Sequence, residues 1–303
     1  MTGRFEVSGS EISLKEIGRE MCKEEWTSYT IYSYLASLEK DKRNAEKLRK
    51  IAEQERKHFE FWKKVSGCEQ PKVDLKKVKL MARLFGVQFV LKKMELSERN
   101  AIECYQKIRN MVKDENLRRE LEEIIRDEME HENALMGEVE DPRVKYLGYV
   151  ALGLADAVVE VTGVHAGFLG ATANTILAGL AGLIVGFSAS LSMTGAAYVQ
   201  AKHDPEVKAP ISAGVTGISY LLSVVLLALP YFLIHNIWAA FATSLAVALA
   251  ILGGFIYYSS VINNKDFLRE YMETVALLMI TAFGSYAFGT IMESLVGASV
   301  FSH

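Results

Sequence analysis

Cysteine is scarce in this chain of 303 residues: there are three, Cys22, Cys68 and Cys104. They lie far apart and form no C-x-x-C pair, which argues against a thiolate zinc site and against a disulfide framework. Reduced thiols in a cytosolic compartment are the expectation. No basic patch stands out and the net charge is -3, so nucleic acid is not a partner. An apolar leader is also missing. Met1 to Ser13 is polar, and no cleaved secretory signal is expected. The most informative scarcity is local. Residues 146–303 hold only four of the 34 Lys and Arg and eight of the 37 Asp and Glu. The first half therefore reads as a water-soluble domain and the second as a membrane domain, with the expected division at 1–142 and 143–303.

What is present is helix throughout, and the fold class is all-α: a four-helix bundle followed by five membrane helices. In the first half, amphipathic helices are predicted near Ser13–Glu39, Lys42–Val65, Asp74–Val112 and Asn116–Met136. Ser13 and Glu16 make a capping-box pattern, Ser66-Gly67 stops the second helix, Pro71 marks the connection, and Gly137 stops the fourth. The second helix carries a stripe, Leu48, Ile51, Glu55, His58 and Trp62, spaced by 3, 4, 3 and 4. That spacing is one helix face, and a face so apolar should be buried. A carboxylate and an imidazole within it are costly unless something pairs with them.

The stripe occurs twice. Adding 73 gives Leu121, Ile124, Glu128, His131 and Leu135. The same offset relates Met21 to Met94, Glu25 to Glu98, Tyr32 to Tyr105 and Leu35 to Ile108. Each helix pair thus offers one lone Glu and, 30 residues on, a Glu-x-x-His. Four Glu and two His on inward faces are the ligand set of a di-iron carboxylate site. The carboxylates bridge and neutralise two divalent cations while each imidazole adds a nitrogen donor, and manganese or zinc suits the same donors. Tyr29, Tyr32 and Tyr105, one or two turns away, are read chiefly as packing residues with a satisfied hydroxyl.

On these residues the first half resembles the ferritin-like superfamily, and rubrerythrin in particular. The resemblance covers about residues 13–137 and rests on Glu25, Glu55, His58, Glu98, Glu128 and His131. Rubrerythrins carry an extra Glu one turn from the third-helix ligand, a place that Glu95 fills, while Cys22 stands at the equivalent place in the first helix. The resemblance implies an iron-binding bundle. Rubrerythrins usually add a four-cysteine rubredoxin site, which this sequence does not have.

From Tyr146 onward, five apolar segments are long enough to span a bilayer, near 146–169, 175–199, 211–233, 237–262 and 272–297. All four basic residues of this half, Lys202, Lys208, Lys265 and Arg269, lie in two of the connections. The positive-inside rule puts those loops in the cytoplasm, and with them the N-terminal domain, leaving the C-terminus outside. Asp156 and Glu160 sit four apart in the first span, His165 follows, and Glu273 and Glu293 stand near the two ends of the last. Acids within a span cost about 2.5–3.5 kcal/mol at the bilayer centre, so they usually face a pathway or a partner. The second span is rich in small residues, and Gly182 and Gly186 form G-x-x-x-G, which predicts close helix approach and dimer packing.

The stretches Gly153-Leu-Ala-Asp156-Ala-Val-Val-Glu160 and Ser190-Leu-Ser-Met193-Thr-Gly-Ala-Ala-Tyr198 resemble the vacuolar iron transporter family. The whole chain is similar to its membrane-bound ferritin subfamily, in which a ferritin-like domain precedes the transporter domain. This resemblance implies a homodimer that exchanges ferrous iron for protons, with Asp156 and Met193 lining the iron path; Glu160 and Glu293 complete the candidate path. Plant members have a Glu-rich insert between the second and third spans and an acid within the second span. This sequence has neither. The expectation is an exporter in the cell membrane, embedded in the lipid bilayer, whose cytoplasmic bundle captures, senses or oxidises iron. The competing expectation is a membrane-tethered di-iron ferroxidase or peroxidase, and a third is a manganese or zinc transporter.

Overall fold

In the computed structural model of the chain, residues 14–135, 142–172 and 174–296 are described, apart from the side chains of 96–100, 103, 111, 132–135, 142 and 143. Eleven helices lie within these residues, and they contain no strand. The chain divides into two compact units, Met1–Asp141 and Pro142–His303.

The first unit contains α1 (Leu14–Leu38), α2 (Lys42–Ser66), α3 (Lys76–Phe85), α4 (Val87–Met111) and α5 (Glu115–Leu135). Local chemistry sets the ends. Asp41 caps α2 by accepting from Asn44 N at 3.0 Å, and Asp114 caps α5 by accepting from Asn116 N and Leu117 N at 2.8 and 3.1 Å. Gly67 ends α2 in the left-handed region, with φ 66°. Ser13 and Gly137, expected at helix ends, lie outside the described residues.

One long third helix from Asp74 to Val112 was expected, and here the structure differs. The segment breaks at Gly86 into α3 and α4, and Gly86 has φ 91°, a backbone state open to glycine and strained for other residues. The heptad pattern continues through the break, so periodicity alone hides it.

Two apolar clusters flank the level of the Glu and His residues. One joins Tyr32, Leu35, Leu48, Ile51, Val90 and Met94. The other joins Met21, Phe59, Trp62, Tyr105, Ile108 and Leu121. Burying each such side chain is worth about 1.5–3 kcal/mol. The expectation of reduced thiols is corrected here. Cys22 and Cys68 are bonded, with Cα atoms 6.7 Å apart, while Cys104 is a free thiol. Sequence distance hid the pair, because the α1–α2 hairpin folds the chain back on itself. A Cβ at Gly18 would lie only 3.0 Å from Ser66 Cβ, so glycine there lets α1 approach the end of α2 where Cys68 follows.

The second unit begins with the short α6 (Pro142–Lys145), followed by α7 (Leu147–Ala171), α8 (Thr175–Ala201), α9 (Ala209–Leu233), α10 (Ile237–Asn263) and α11 (Phe267–Val296). The last five are long and apolar enough to cross a membrane. Their outward faces carry Ile184, Phe187, Ile218, Leu233, Ile280 and Phe283, all exposed. A surface of that kind belongs in lipid. The interior is built on α7, whose Ala157, Val158 and Val161 pack with Tyr220, Val224, Leu252 and Leu278.

Small residues bring the helix backbones together. The close helix approach expected of the G-x-x-x-G pair is seen within the chain, which fills the space at both glycines. A Cβ at Gly182 would strike the ring of His165, and one at Gly186 would lie 3.2 Å from Val224 Cβ. His165 is fully buried against Tyr231, with ring centroids 4.1 Å apart, and has no room to retreat. Gly182→Ala should therefore destabilise the unit by about 1–3 kcal/mol. A thermal melt of the full chain in detergent should show a clear drop in Tm, and an unchanged Tm would contradict this packing.

Candidate metal centre

The bundle positions its polar stripe as the repeat predicts. Glu55 and Glu128 are each 2% exposed, His58 is 2% and His131 is 1%, while Glu25 from α1 is 4%. The duplicate positions are thus equally buried, and they face each other. His58 Nδ1 lies 3.1 Å from Glu128 Oε1 and 3.5 Å from Glu25 Oε2. His131 Nδ1 lies 3.2 Å from Glu55 Oε1 and 3.7 Å from Glu128 Oε2. Glu128 therefore spans the pair, one oxygen toward each imidazole.

Those Nδ1 atoms make no hydrogen bond of good geometry despite the short distances. They face the carboxylates of the cluster. Donors held 2.0–2.2 Å from one ion lie at most about 4.4 Å from each other. The ligand atoms of Glu25, Glu55, His58 and Glu128 all lie within 4.8 Å of one another. Only a slight contraction closes them on a cation. Three buried carboxylates beside two imidazoles also call for positive charge, since an unpaired buried acid is strongly destabilising. Oxygen and imidazole donors suit Fe(II), Mn(II) and Zn(II). The residues fit a metal.

The outer nitrogen of each imidazole is fixed by a second contact. His58 Nε2 lies 3.2 Å from Asp127 Oδ2, and His131 Nε2 lies 3.1 Å from Gln54 Oε1. When Nε2 carries the proton, Nδ1 is left as the donor that faces the cluster. Neither partner was singled out from the sequence, although each directly precedes a ligand Glu. Tyr105, read from the sequence chiefly as a packing residue, is also a partner of the site. Its hydroxyl donates to Glu25 and accepts from Trp62 Nε1 at 3.2 Å, and its ring stacks on Trp62 at 5.7 Å. Burial first, then the charges of Glu25 and Glu128, push the Tyr105 hydroxyl well above its ordinary pKa, so it stays a donor.

Glu95 is buried but is held by Lys92 Nζ at 2.6 Å, and it is not among the four residues whose ligand atoms converge. The side chain of Glu98 lies outside the described residues. Tyr29 and Tyr32 pack in the apolar cluster next to the site.

In the second unit, Asp156 is exposed near the middle of α7 and Glu160 is half-buried, accepting from the Tyr220 hydroxyl. Met193 is half-buried against the α7 cluster, and Glu293 is half-buried in α11. Glu273 is exposed and pairs with Arg269 at 3.0 Å. His165 has neither ring nitrogen hydrogen-bonded. The structure brings Glu160 to Tyr220, a partner from α9 that nothing in the sequence marked.

A buried Glu/His cluster that could hold a metal lies between the helices of the first unit, as in ferritin-like bundles. A family model described as rubrerythrin matches residues 16–139. No curated protein and no solved structure matches the chain.

The protons at this site should compete with metal. Burial disfavours the charged form of His58, but Asp127, Glu128 and Glu25 outweigh it and raise its pKa well above 6.5. Burial also opposes ionisation of Glu128, yet His131 and His58 pull its pKa down to about 2. In metal-free protein the His58 contribution to stability is complete below pH 6.5 and is lost as pH rises through the raised value. The Glu128 contribution is present above pH 4.5 and is lost as pH falls toward about 2. Stripped of metal, the full chain should melt highest between pH 4.5 and 6.5 and lose Tm as pH rises through the raised His58 value, whereas metal should abolish that alkaline loss by taking the place of the proton. Melting curves across pH, with chelator and with added Mn(II), measure this. Identical profiles would contradict the assignment.

Proposed function

We propose that the chain is a metal transporter of the cell membrane that exports ferrous iron from the cytoplasm in exchange for protons. Its N-terminal bundle captures iron with Glu25, Glu55, His58, Glu98, Glu128 and His131, with Glu95 beside them. The observation that carries this reading is Asp156. It is exposed in the middle of a 25-residue apolar span. A carboxylate facing lipid there would cost several kcal/mol, so a pathway or a second copy of the chain must cover it.

A homodimer with α7 at its centre meets that need. It would bring two copies of Asp156 and Glu160 to one axis and enclose a negatively charged route. Glu160 is held by Tyr220, which fixes the carboxylate while leaving an oxygen to accept a cation or a proton. Met193 lies against the same α7 cluster and supplies a softer donor. Glu293 would serve where the path leaves the membrane. Loop charge supports a cytoplasmic bundle and an outside C-terminus, against the compartment that the Cys22–Cys68 bond alone would favour, because Lys202, Lys208, Lys265 and Arg269 all fall in or beside two connections on one side. The bundle then raises iron concentration on the side from which iron leaves.

When bound, iron in the bundle offers redox chemistry that the carboxylates and imidazoles cannot. The chain's own residues bind it, exclude water with the two apolar clusters, and keep the Tyr105 hydroxyl protonated against Glu25. In proteoliposomes, Asp156→Ala with Met193→Ala should cut ferrous flux at least tenfold, a loss of about 1.4 kcal/mol or more in the transport barrier. Unchanged flux would refute the pathway. Oxygen uptake on ferrous addition without any flux would favour the ferroxidase reading, and stronger competition by Mn(II) or Zn(II) would reassign the cargo.

A further inference from the structure

We propose that the duplicated metal site is unequal by construction: Asp127 makes the half centred on His58 the tighter and first-filled cation position, and Gln54 leaves the half centred on His131 the weaker, exchanging one. This rests on the metal-binding reading of the bundle and concerns the order in which its two halves work.

The observation is a broken symmetry. Gln54 and Asp127 are 73 residues apart, the offset of the repeat, and each stands directly before its ligand, Glu55 or Glu128. Each reaches across to the other hairpin's imidazole. Asp127 Oδ2 is 3.2 Å from His58 Nε2, and Gln54 Oε1 is 3.1 Å from His131 Nε2. The two contacts are alike in length but differ in charge, and Asp127 also hydrogen-bonds to Gln54. An imidazole that donates to a carboxylate makes a charge-assisted hydrogen bond and becomes a stronger base at its other nitrogen. An amide oxygen does this more weakly. Asp127 also adds a formal negative charge beside its half of the site.

Access favours the same half. His58 and Asp127 line a cavity of about 370 Å³. Its wall carries Glu120, Glu123 and Asp127, which step by 3 and 4 along one face of α5, together with Lys57 and Arg126. The His58 half thus opens through a cavity whose three acids outnumber its two bases. An unequal pair retains one ion while the other exchanges. That property suits a domain that hands ions on, and a store would favour two equal positions.

Metal-free full chain in detergent, titrated with Co2+ alone under anaerobic conditions, tests this. Visible absorption of the bound Co2+ and a competing chelator report each step. Wild type should fill in two steps separated by about 10- to 100-fold in Kd, the usual effect of an outer-shell partner on metal affinity. Asp127→Asn keeps an oxygen at His58 but removes the charge, and should weaken the tight step about tenfold and merge the two. Asp127→Glu should preserve the separation, and Gln54→Glu should tighten the weak step by a similar factor. A single step in wild type, or a separation unmoved by both Asp127→Asn and Gln54→Glu, overturns the proposal. Co2+ binding that survives Glu55→Ala combined with Glu128→Ala overturns the site itself, which is a different failure.

Discussion

The first unit depends on one constraint: carboxylates and imidazoles sit inside a helix bundle that shields them almost wholly from water. Glu25, Glu55, Glu128, His58 and His131 are all buried to within a few per cent. In a medium of low dielectric such groups must satisfy one another or a cation. The helices bring them together so that they satisfy one another and could hold a cation. Glu128 offers one oxygen to each imidazole, the imidazoles turn their inner nitrogens to the cluster, and Asp127 and Gln54 hold the outer ones. The apolar clusters on either side keep the interactions strong by keeping solvent out.

The membrane unit meets the same constraint in a different solvent. Lipid forbids unpaired charge on the outside, so its few acids acquire meaning from position. Glu273 lies beside Arg269 near the end of a span and is satisfied there. Glu160 has a phenol partner inside. Asp156 is exposed in the middle of its span, and the unit by itself does not cover it. Glycines at 153, 170, 182, 186 and 289 let the helices approach until backbone or side-chain atoms fill the space a Cβ would need. Packing without a hydrophobic driving force relies on such close contacts.

Much of the fold could be read from residue order. Charge depletion after residue 145 separated a soluble half from a membrane half, and five apolar runs matched five helices within about five residues at their ends. The ligand stripe was legible because polar residues interrupt a 3-4 pattern, and because the pattern recurs after 73 residues. The break at Gly86 was not legible, since a glycine between apolar residues does not disturb periodicity. The Cys22–Cys68 pair was hidden for another reason: its partners lie 46 residues apart, and only the α1–α2 hairpin makes them neighbours.

The sequence by itself determined the helix content, the five membrane-length apolar helices of the second half, and the identity of the buried polar residues. These follow from composition and from one-dimensional spacing, which fix the face of a helix on which a side chain falls. Tertiary structure alone decided which polar groups meet. It turned Glu128 toward two imidazoles, joined Gln54 and Asp127 to the opposite hairpin, placed Tyr105 on Glu25, and filled Gly182 with His165. Periodicity assigns a residue to a face, but a contact depends on the rotation and depth of two faces against each other, and packing sets both.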